Sequence, residues 1–244
     1  MMDCVAVETM RFSDQQTIAQ YVPSLTLMYR AAMGVYLSTA WHGETVIAVG
    51  SGNNGGDGFA LACILSEKGI PCRVVTLSDR LSPDSAHYAA KATELGVPVA
   101  PYAAGCFAGC DILVDCLLGT GFHGAVREPY RAAIQEINAA GAYVVSVDIN
   151  SGMNGDTGEA ETAVRSDLTV TIGFVKNGMV APGAGAWIKR LVCADIGIVL
   201  DHPENKIVSE AEWTGAFARQ SGYILCPPYL DMRPIDARPF DPRA

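Results

Sequence analysis

Basic residues are scarce in this chain: 17 Lys and Arg stand against 26 Asp and Glu in 244 residues, a formal net charge of -9. Nucleic acid and anionic membrane surfaces need a basic footprint, so neither partner is expected. Long apolar runs are missing too. No uninterrupted stretch approaches membrane-spanning length, and the N-terminus lacks a charged segment followed by an apolar one. A cytoplasmic protein, neither exported nor membrane-bound, is the expectation. The eight cysteines (Cys4, Cys63, Cys72, Cys106, Cys110, Cys116, Cys193, Cys226) show no C-x-x-C spacing, and several fall in apolar segments where a reduced thiol packs as a small hydrophobe. Cys106 and Cys110 are half a metal site at most, with no His or Cys cluster to complete it. There is no G-x-S-x-G nucleophile elbow and no G-K-[ST] after a glycine loop, which argues against serine-hydrolase and Walker-type NTPase chemistry.

What is present suits a folded domain: half the residues are hydrophobic and 18% are charged, enough to bury a sizeable core. Apolar strand candidates recur at 46–49, 72–77, 112–114 and 143–147, separated by helix-length segments. Their near-continuous hydrophobicity implies a parallel sheet covered on both faces. The fold expected is α/β, a Rossmann-like three-layer αβα sandwich with a mostly parallel sheet. Helices are bounded sharply at 84–95 and 130–140, with Pro83 and Pro129 near their starts and Gly96 and Gly141 just past their ends. Residues 14–40 look helical with a break at Pro23-Ser24, as an extra layer on the sheet edge. Further strands are expected at 167–172 and 191–195. Residues 1–200 then form the domain, and 201–244 a tail with a short helix at 213–219 and a proline-rich end.

The most informative segment is Gly50-Ser-Gly-Asn-Asn-Gly-Gly-Asp-Gly58, which joins the first apolar run to the helix-length stretch 59–68. It reads as strand, glycine loop and helix, with glycines that permit positive φ and close approach, and free helix N–H groups suited to phosphate. The embedded G-x-G-x-x-G is by itself a weak signal. In a doubly wound sheet, ligands sit beyond the carboxyl ends of the strands. Two further segments end there, each carrying an acid directly after a strand: Asp115 before Gly119-Thr-Gly-Phe-His-Gly124, and Asp148 before Ser151. Both carboxylates are expected to face one crevice. Asp57 has a structural explanation as a first-turn acid at a helix start. Two acids beside a phosphate loop call for a cation or a base function. Oxygen donors such as Asn54 or Asn53, Asp115 and Ser151 suit a hard metal, monovalent or weakly held divalent. Asp148 is left for proton transfer, with His123 as the alternative.

With these segments in place, the chain resembles the YjeF N-terminal domain family of NAD(P)H-hydrate epimerases. The matching stretches are PSLTLMYRAA from Pro23, GSGNNGGDGFALA from Gly50, VDCLLGTGF from Val114, VDINSGMNGDTG from Val147, DLTVTIGFVKNG from Asp167 and ADIGI from Ala194, together covering about residues 10–200. The resemblance implies interconversion of the R and S epimers of hydrated NADH and NADPH, a repair of nicotinamide cofactor, with the S form passing to a separate dehydratase. It implies that Asn53, Asn54, Gly55, Gly56, Asp57, Gly119, Thr120, Gly121, Phe122, His123, Gly124 and Ala125 line the substrate and that Asp148 contacts it. It also implies that Asn54, Asp115 and Ser151 bind a potassium ion, and that the protein is a homodimer. Asn150 stands where the family most often has proline, which should loosen the turn before Ser151. Tyr29 stands where an acid is usual, which points to an altered edge or dimer contact. The 44 residues after Leu200 are too few for the fused dehydratase of some relatives. Competing readings are an NAD(P)-dependent oxidoreductase, with Gly50, Gly52 and Gly55 as fingerprint and Asp79 on the ribose, and a non-catalytic nucleotide-binding or scaffold module.

Overall fold

The computed structural model describes residues 2–200 and two short strands at 206–208 and 223–225. The helix expected at 213–219 and the proline-rich end lie outside the described residues. A parallel eight-stranded sheet has strand order β11-β9-β7-β6-β5-β2-β3-β4. Its central members are β2 (Thr45–Val49), β3 (Cys72–Thr76), β5 (Ile112–Cys116), β6 (Tyr143–Val147) and β7 (Leu168–Ile172), with β4 (Val99–Pro101) at one edge and β9 (Leu191–Ala194) and β11 (Tyr223–Leu225) at the other. Every residue of β2, β5 and β7 is buried, which is why these strands read as continuous apolar runs rather than alternating ones. From β2 the chain moves outward through β3 and β4, then returns to lay β5, β6 and β7 on the other side. The strand order therefore reverses between β2 and β5, and a crevice opens beyond their carboxyl ends.

Helices cover both faces. On one face α2 (Ser24–Ser38), α3 (Asn53–Glu67) and α4 (Pro83–Glu94) pack together over Ile47, Val49, Val114, Val145 and Val170. On the other, α5 (Tyr130–Ala139) sets Ala133, Ile134 and Ile137 on Val46, Leu113 and Val144. The punctuation expected from sequence is present: Ser82 caps α4 by accepting from Ser85 N–H at 3.3 Å, Pro83 opens it, and Gly96 and Gly141 follow α4 and α5 at φ 77 and 70.

The N-terminal helices depart from expectation. The break at Pro23 is real, but α2 lies on the sheet's face against α3, β7 and β9 rather than at its edge, because Leu27, Met28, Ala31, Ala32 and Val35 form an apolar stripe broad enough to join the core. Tyr29 is buried inside this layer at 8% exposure, so it is no edge contact. Ahead of α2, β1 (Met2–Val5) pairs in parallel with β8 (Val175–Lys176) and antiparallel with β10 (Lys206–Val208), then leads into α1 (Val7–Gln20). This three-stranded sheet fixes α1 beside the crevice.

Candidate active site

The glycine segment departs from the loop it was expected to form. The helix begins at Asn53, so the loop is only Gly50-Ser51-Gly52, and none of the glycines at 50, 52, 55, 56 and 58 has positive φ. Close packing is what requires Gly50, Gly55, Gly56 and Gly58, whereas a Cβ on Gly52 would meet open space. A Cβ on Gly50 would lie 2.0 Å from Leu117 O, one on Gly55 would lie 2.3 Å from Gly50 O, and one on Gly58 would lie 2.8 Å from Val49 Cγ1. The start of α3 is thereby pressed onto the ends of β2 and β5, with its unpaired first-turn N–H groups at the crevice. Asp57 is the fifth residue of the helix, beyond the first turn, and does not cap it. Its half-buried carboxyl lines the crevice and accepts no hydrogen bond among the described residues. Burial pushes it well above the usual carboxylate range, and Asp148 and Asp14 add to the rise while Lys176 opposes it.

The crevice is a cleft of about 590 Å³. Of the residues expected there, Asn53, Asn54, Asp57 and Asp148 line it, and so do Gly119, Thr120, Gly121, Phe122 and His123 of the loop after β5. Gly55 and Gly56 sit behind the helix start as packing surfaces, and Gly124 and Ala125 continue the exposed loop beyond the lining. Asp79 is exposed and also outside it.

Asp148 follows β6 with φ 67, in the left-handed region that disfavours most side chains and that Asp and Asn tolerate best. Its N–H donates to Val170 O at 2.8 Å, and the turn sends the carboxylate to the cleft. Lys176 Nζ donates to Asp148 Oδ1 at 2.5 Å, to Thr171 Oγ1 at 3.0 Å and to Ile172 O at 2.8 Å. The lysine is fully buried, while Asp148 keeps 13% of its side chain exposed toward the cleft. Lys176 was not among the residues expected at the site, although a lysine directly after the largely apolar run Leu168–Val175 was the available signal. Asp14, on α1, is a second group that was missed, and it too lines the cleft.

Asp115 does not share the crevice with Asp148, contrary to expectation. It lies within β5, paired in register with Ser146, and is fully buried. Its oxygens accept from Ser146 Oγ at 2.9 Å, Ser151 N–H at 2.9 Å, Ser151 Oγ at 2.5 Å and Leu117 N–H at 3.2 Å. Burial raises this carboxyl and those four donors work against the rise. Next to it, Leu118 O accepts from Asn54 Nδ2 at 3.0 Å and lies 3.3 Å from Ser151 Oγ. Asn54 Oδ1 is buried with no hydrogen-bond partner among the described residues. Asn54, Asp115 and Ser151 are thus brought together as an oxygen cluster behind the cleft wall.

Asn150 does not loosen its turn. It is fully buried, its amide nitrogen lies 2.9–3.0 Å from Val164 O, Ser166 Oγ and Trp187 O, and its Oδ1 accepts from Thr169 Oγ1 at 2.6 Å. The side chain ties the Asp148–Ser151 turn to β7 and to the segment before β9. Asn150→Ala should cost about 3 kcal/mol by stranding these buried groups, a drop in Tm of several degrees readable by circular dichroism. A variant melting with the wild type would mean that the network carries no load.

A doubly wound sheet with a helix start, an ion-paired carboxylate and an oxygen cluster at its switch point defines an α/β protein whose ligand cleft lies beyond the carboxyl ends of its strands. The family described as YjeF-related protein N-terminus matches residues 24–178, and the chain belongs to that family. It is 36% identical over 199 residues to the NAD(P)H-hydrate epimerase of Limosilactobacillus fermentum, covering 78% of this chain and 95% of that one. It is 33% identical to the protein of the same name from Rhodopirellula baltica, over 80% of this chain and 84% of the other. The bifunctional NAD(P)H-hydrate repair enzyme Nnr of Coxiella burnetii is 37% identical over 64% of this chain, a match that spans 32% of that longer protein. The crystal structure of yeast ynu0 superposes with a TM-score of 0.63 at 22% identity, over 72% of this chain and 82% of that one, a likeness of fold.

Proposed function

We propose that this chain is an NAD(P)H-hydrate epimerase, an isomerase interconverting the R and S epimers of hydrated NADH and NADPH. The observation that carries the reading is the placement of Asp148, a carboxylate ion-paired to a buried lysine and turned into a switch-point cleft beside an exposed helix start. C6 of the hydrated cofactor is a hemiaminal carbon next to the ring nitrogen. Its configuration is lost when the hydroxyl departs to leave an iminium, or when the ring opens to an aldehyde, and either path needs proton transfer near that oxygen. Asp148 is the group assigned to it. Asn53 and the N–H groups at the start of α3 face the cleft where the phosphates would lie, with Gly119–His123 on the opposing loop. Supplying the R epimer of hydrated NADH and following the S epimer by chromatography tests the reading. Acceleration over the spontaneous rate with no change in reduced-cofactor oxidation supports it, and oxidation coupled to an alcohol panel would favour the dehydrogenase alternative.

Potassium fits the cluster behind the cleft: the donors are all oxygens, and Asn54 Oδ1 is buried and unpartnered among the described residues. Asn54, Asp115, Ser151 and the Leu118 carbonyl would hold it, and the ion would supply positive charge beside the anionic substrate. Potassium chloride is expected to raise Tm by several degrees over tetramethylammonium chloride of equal ionic strength, since saturation at about 100 times Kd contributes about 2.7 kcal/mol. Asn54→Ala should abolish the difference, and an equal Tm in both salts for the wild type would remove potassium from the account. The S epimer would pass to a dehydratase, in keeping with the bifunctional hydrate repair enzymes among the relatives. A homodimer remains part of the proposal, readable by light scattering.

A further inference from the structure

Asp14 is the one acidic residue on the face of α1 that meets the cleft, a stripe formed with Met10, Arg11 and Ile18 at helical spacing. The stripe belongs to a segment ahead of the family match at 24–178, and none of the site residues expected from sequence includes it. Its position is set by the same elements that carry the ion pair. Val5 of β1 is in register with Lys176 of β8, and the first N–H of α1, on Val7, donates to Asp156 Oδ1 at 2.7 Å, in the turn that follows Asp148. At its far end Thr17 Oγ1 accepts from Val199 N–H at 2.9 Å. Held at both ends, α1 forms a fixed wall of the cleft. Asp14 itself is half-buried and, like Asp57 on α3, accepts no hydrogen bond among the described residues, whereas Asp111, Asp115, Asp156, Asp167 and Asp195 each accept at least one. A carboxyl held without a structural partner in a substrate cleft is free to serve the substrate.

We propose that Asp14 is the second proton-transfer residue of the epimerisation, working from the α1 wall while Asp148 works from the end of the sheet. The proposal rests on the epimerase reading and adds to it the group that completes the proton balance. For the epimer whose hydroxyl faces α1, Asp14 gives its proton to that oxygen. The C6–O bond breaks with its electron pair leaving on water, and the N1 lone pair forms the C6=N1 bond of the iminium. A water on the Asp148 side then bonds through its oxygen to C6, the π pair returns to N1, and the surplus proton goes to Asp148. The reverse reaction exchanges the two roles. Solvent returns the proton between turnovers, and no oxidant or reductant is involved.

The surroundings of the two acids differ. Burial, then Asp148, and more weakly Asp84, push the Asp14 carboxyl above its ordinary value, while Lys176 works against the rise. Asp57 on α3 faces the same groups, and Arg11 and His123 complete the titratable and charged lining. Asp148 has the ammonium of Lys176 directly against it. A group whose folded-state value is raised favours the native state most at low pH and loses that contribution as pH rises through the raised value. Asp14→Asn should therefore leave Tm at neutral pH equal or higher, with the gain shrinking in acid.

The experiment compares the wild type with Asp14→Asn on both epimers in isotopically labelled water. Conversion by the variant should fall about 100-fold, with the substrate-induced rise in Tm retained. One epimer should still exchange its hydroxyl oxygen with solvent without inverting, because Asp148 still serves its own face. In the wild type, conversion from that epimer whose hydroxyl faces α1 should decline as pH rises through the raised Asp14 value, and the variant should lose that limb. Conversion within about threefold of the wild type overturns the proposal, as does loss of substrate binding or equal loss of exchange from both epimers. A wild type that converts neither epimer refutes the epimerase reading itself, and an active wild type with an equally active variant refutes Asp14 alone.

Discussion

Lys176→Met is expected to lower the stability of the protein by about 3 kcal/mol, near the low end of the cost of breaking a buried ion pair from one side. The cause is geometric. Methionine matches the length of the stem, but Thr171 Oγ1 and Ile172 O lose a donor, and Asp148 is left facing Asp57 and Asp14 without its ion-pair partner. For a domain of this size the change corresponds to a fall in Tm of about 6–12 °C, measured by calorimetry. Lys176→Arg is no rescue, because a planar fork cannot meet three acceptors arranged around a point charge in a fully buried site. A melting temperature for Lys176→Met within experimental error of the wild type would show that the pair does not organise the site.

Asp148→Asn separates chemistry from architecture. Asparagine tolerates the left-handed backbone at φ 67, and its amide oxygen can still accept from Lys176, so the fold should hold at the cost of a few kcal/mol for the buried ammonium left without its counter-charge. What is lost is the ability to take a proton. Epimerisation should fall by about 100- to 10,000-fold, the range typical of removing a positioned acid or base. The ligand-induced rise in Tm should remain, since the helix start and the loop at Gly119–His123 are untouched. A variant that binds and epimerises like the wild type would move the chemistry to another group.

Much of this architecture was legible in the sequence because it rests on local signals. The buried parallel strands are continuous apolar runs, and α4 and α5 are bracketed by proline and glycine whose conformational limits do not depend on tertiary context. The glycine segment misled for the same reason. Gly55, Gly56 and Gly58 are poor helix formers, so the run read as loop, but the close approach of α3 to Gly50, Met28 and Cys116 outweighs that propensity. Positions whose roles depend on distant partners could not be read. Asn150 looked like a loosened turn because its partners lie 14–37 residues away. Asp115 and Asp148 looked equivalent, and only the register of β5 against Ser146 turns the first inward, while the turn after β6 sends the second to the cleft. Lys176 and Asp14 reach the site through the pairing of β1 with β8, two strands of 4 and 2 residues that no periodicity announces.

The central claim is that Asp148 performs proton transfer on hydrated nicotinamide cofactor. Its most direct test is a side-by-side time course of wild type and Asp148→Asn with the R epimer of hydrated NADH in potassium buffer, resolved by chromatography against the spontaneous rate. The account predicts rapid approach to the epimer equilibrium with the wild type and a rate near the spontaneous one with the folded, ligand-binding variant. Equal acceleration by both proteins, or none by the wild type, would contradict it.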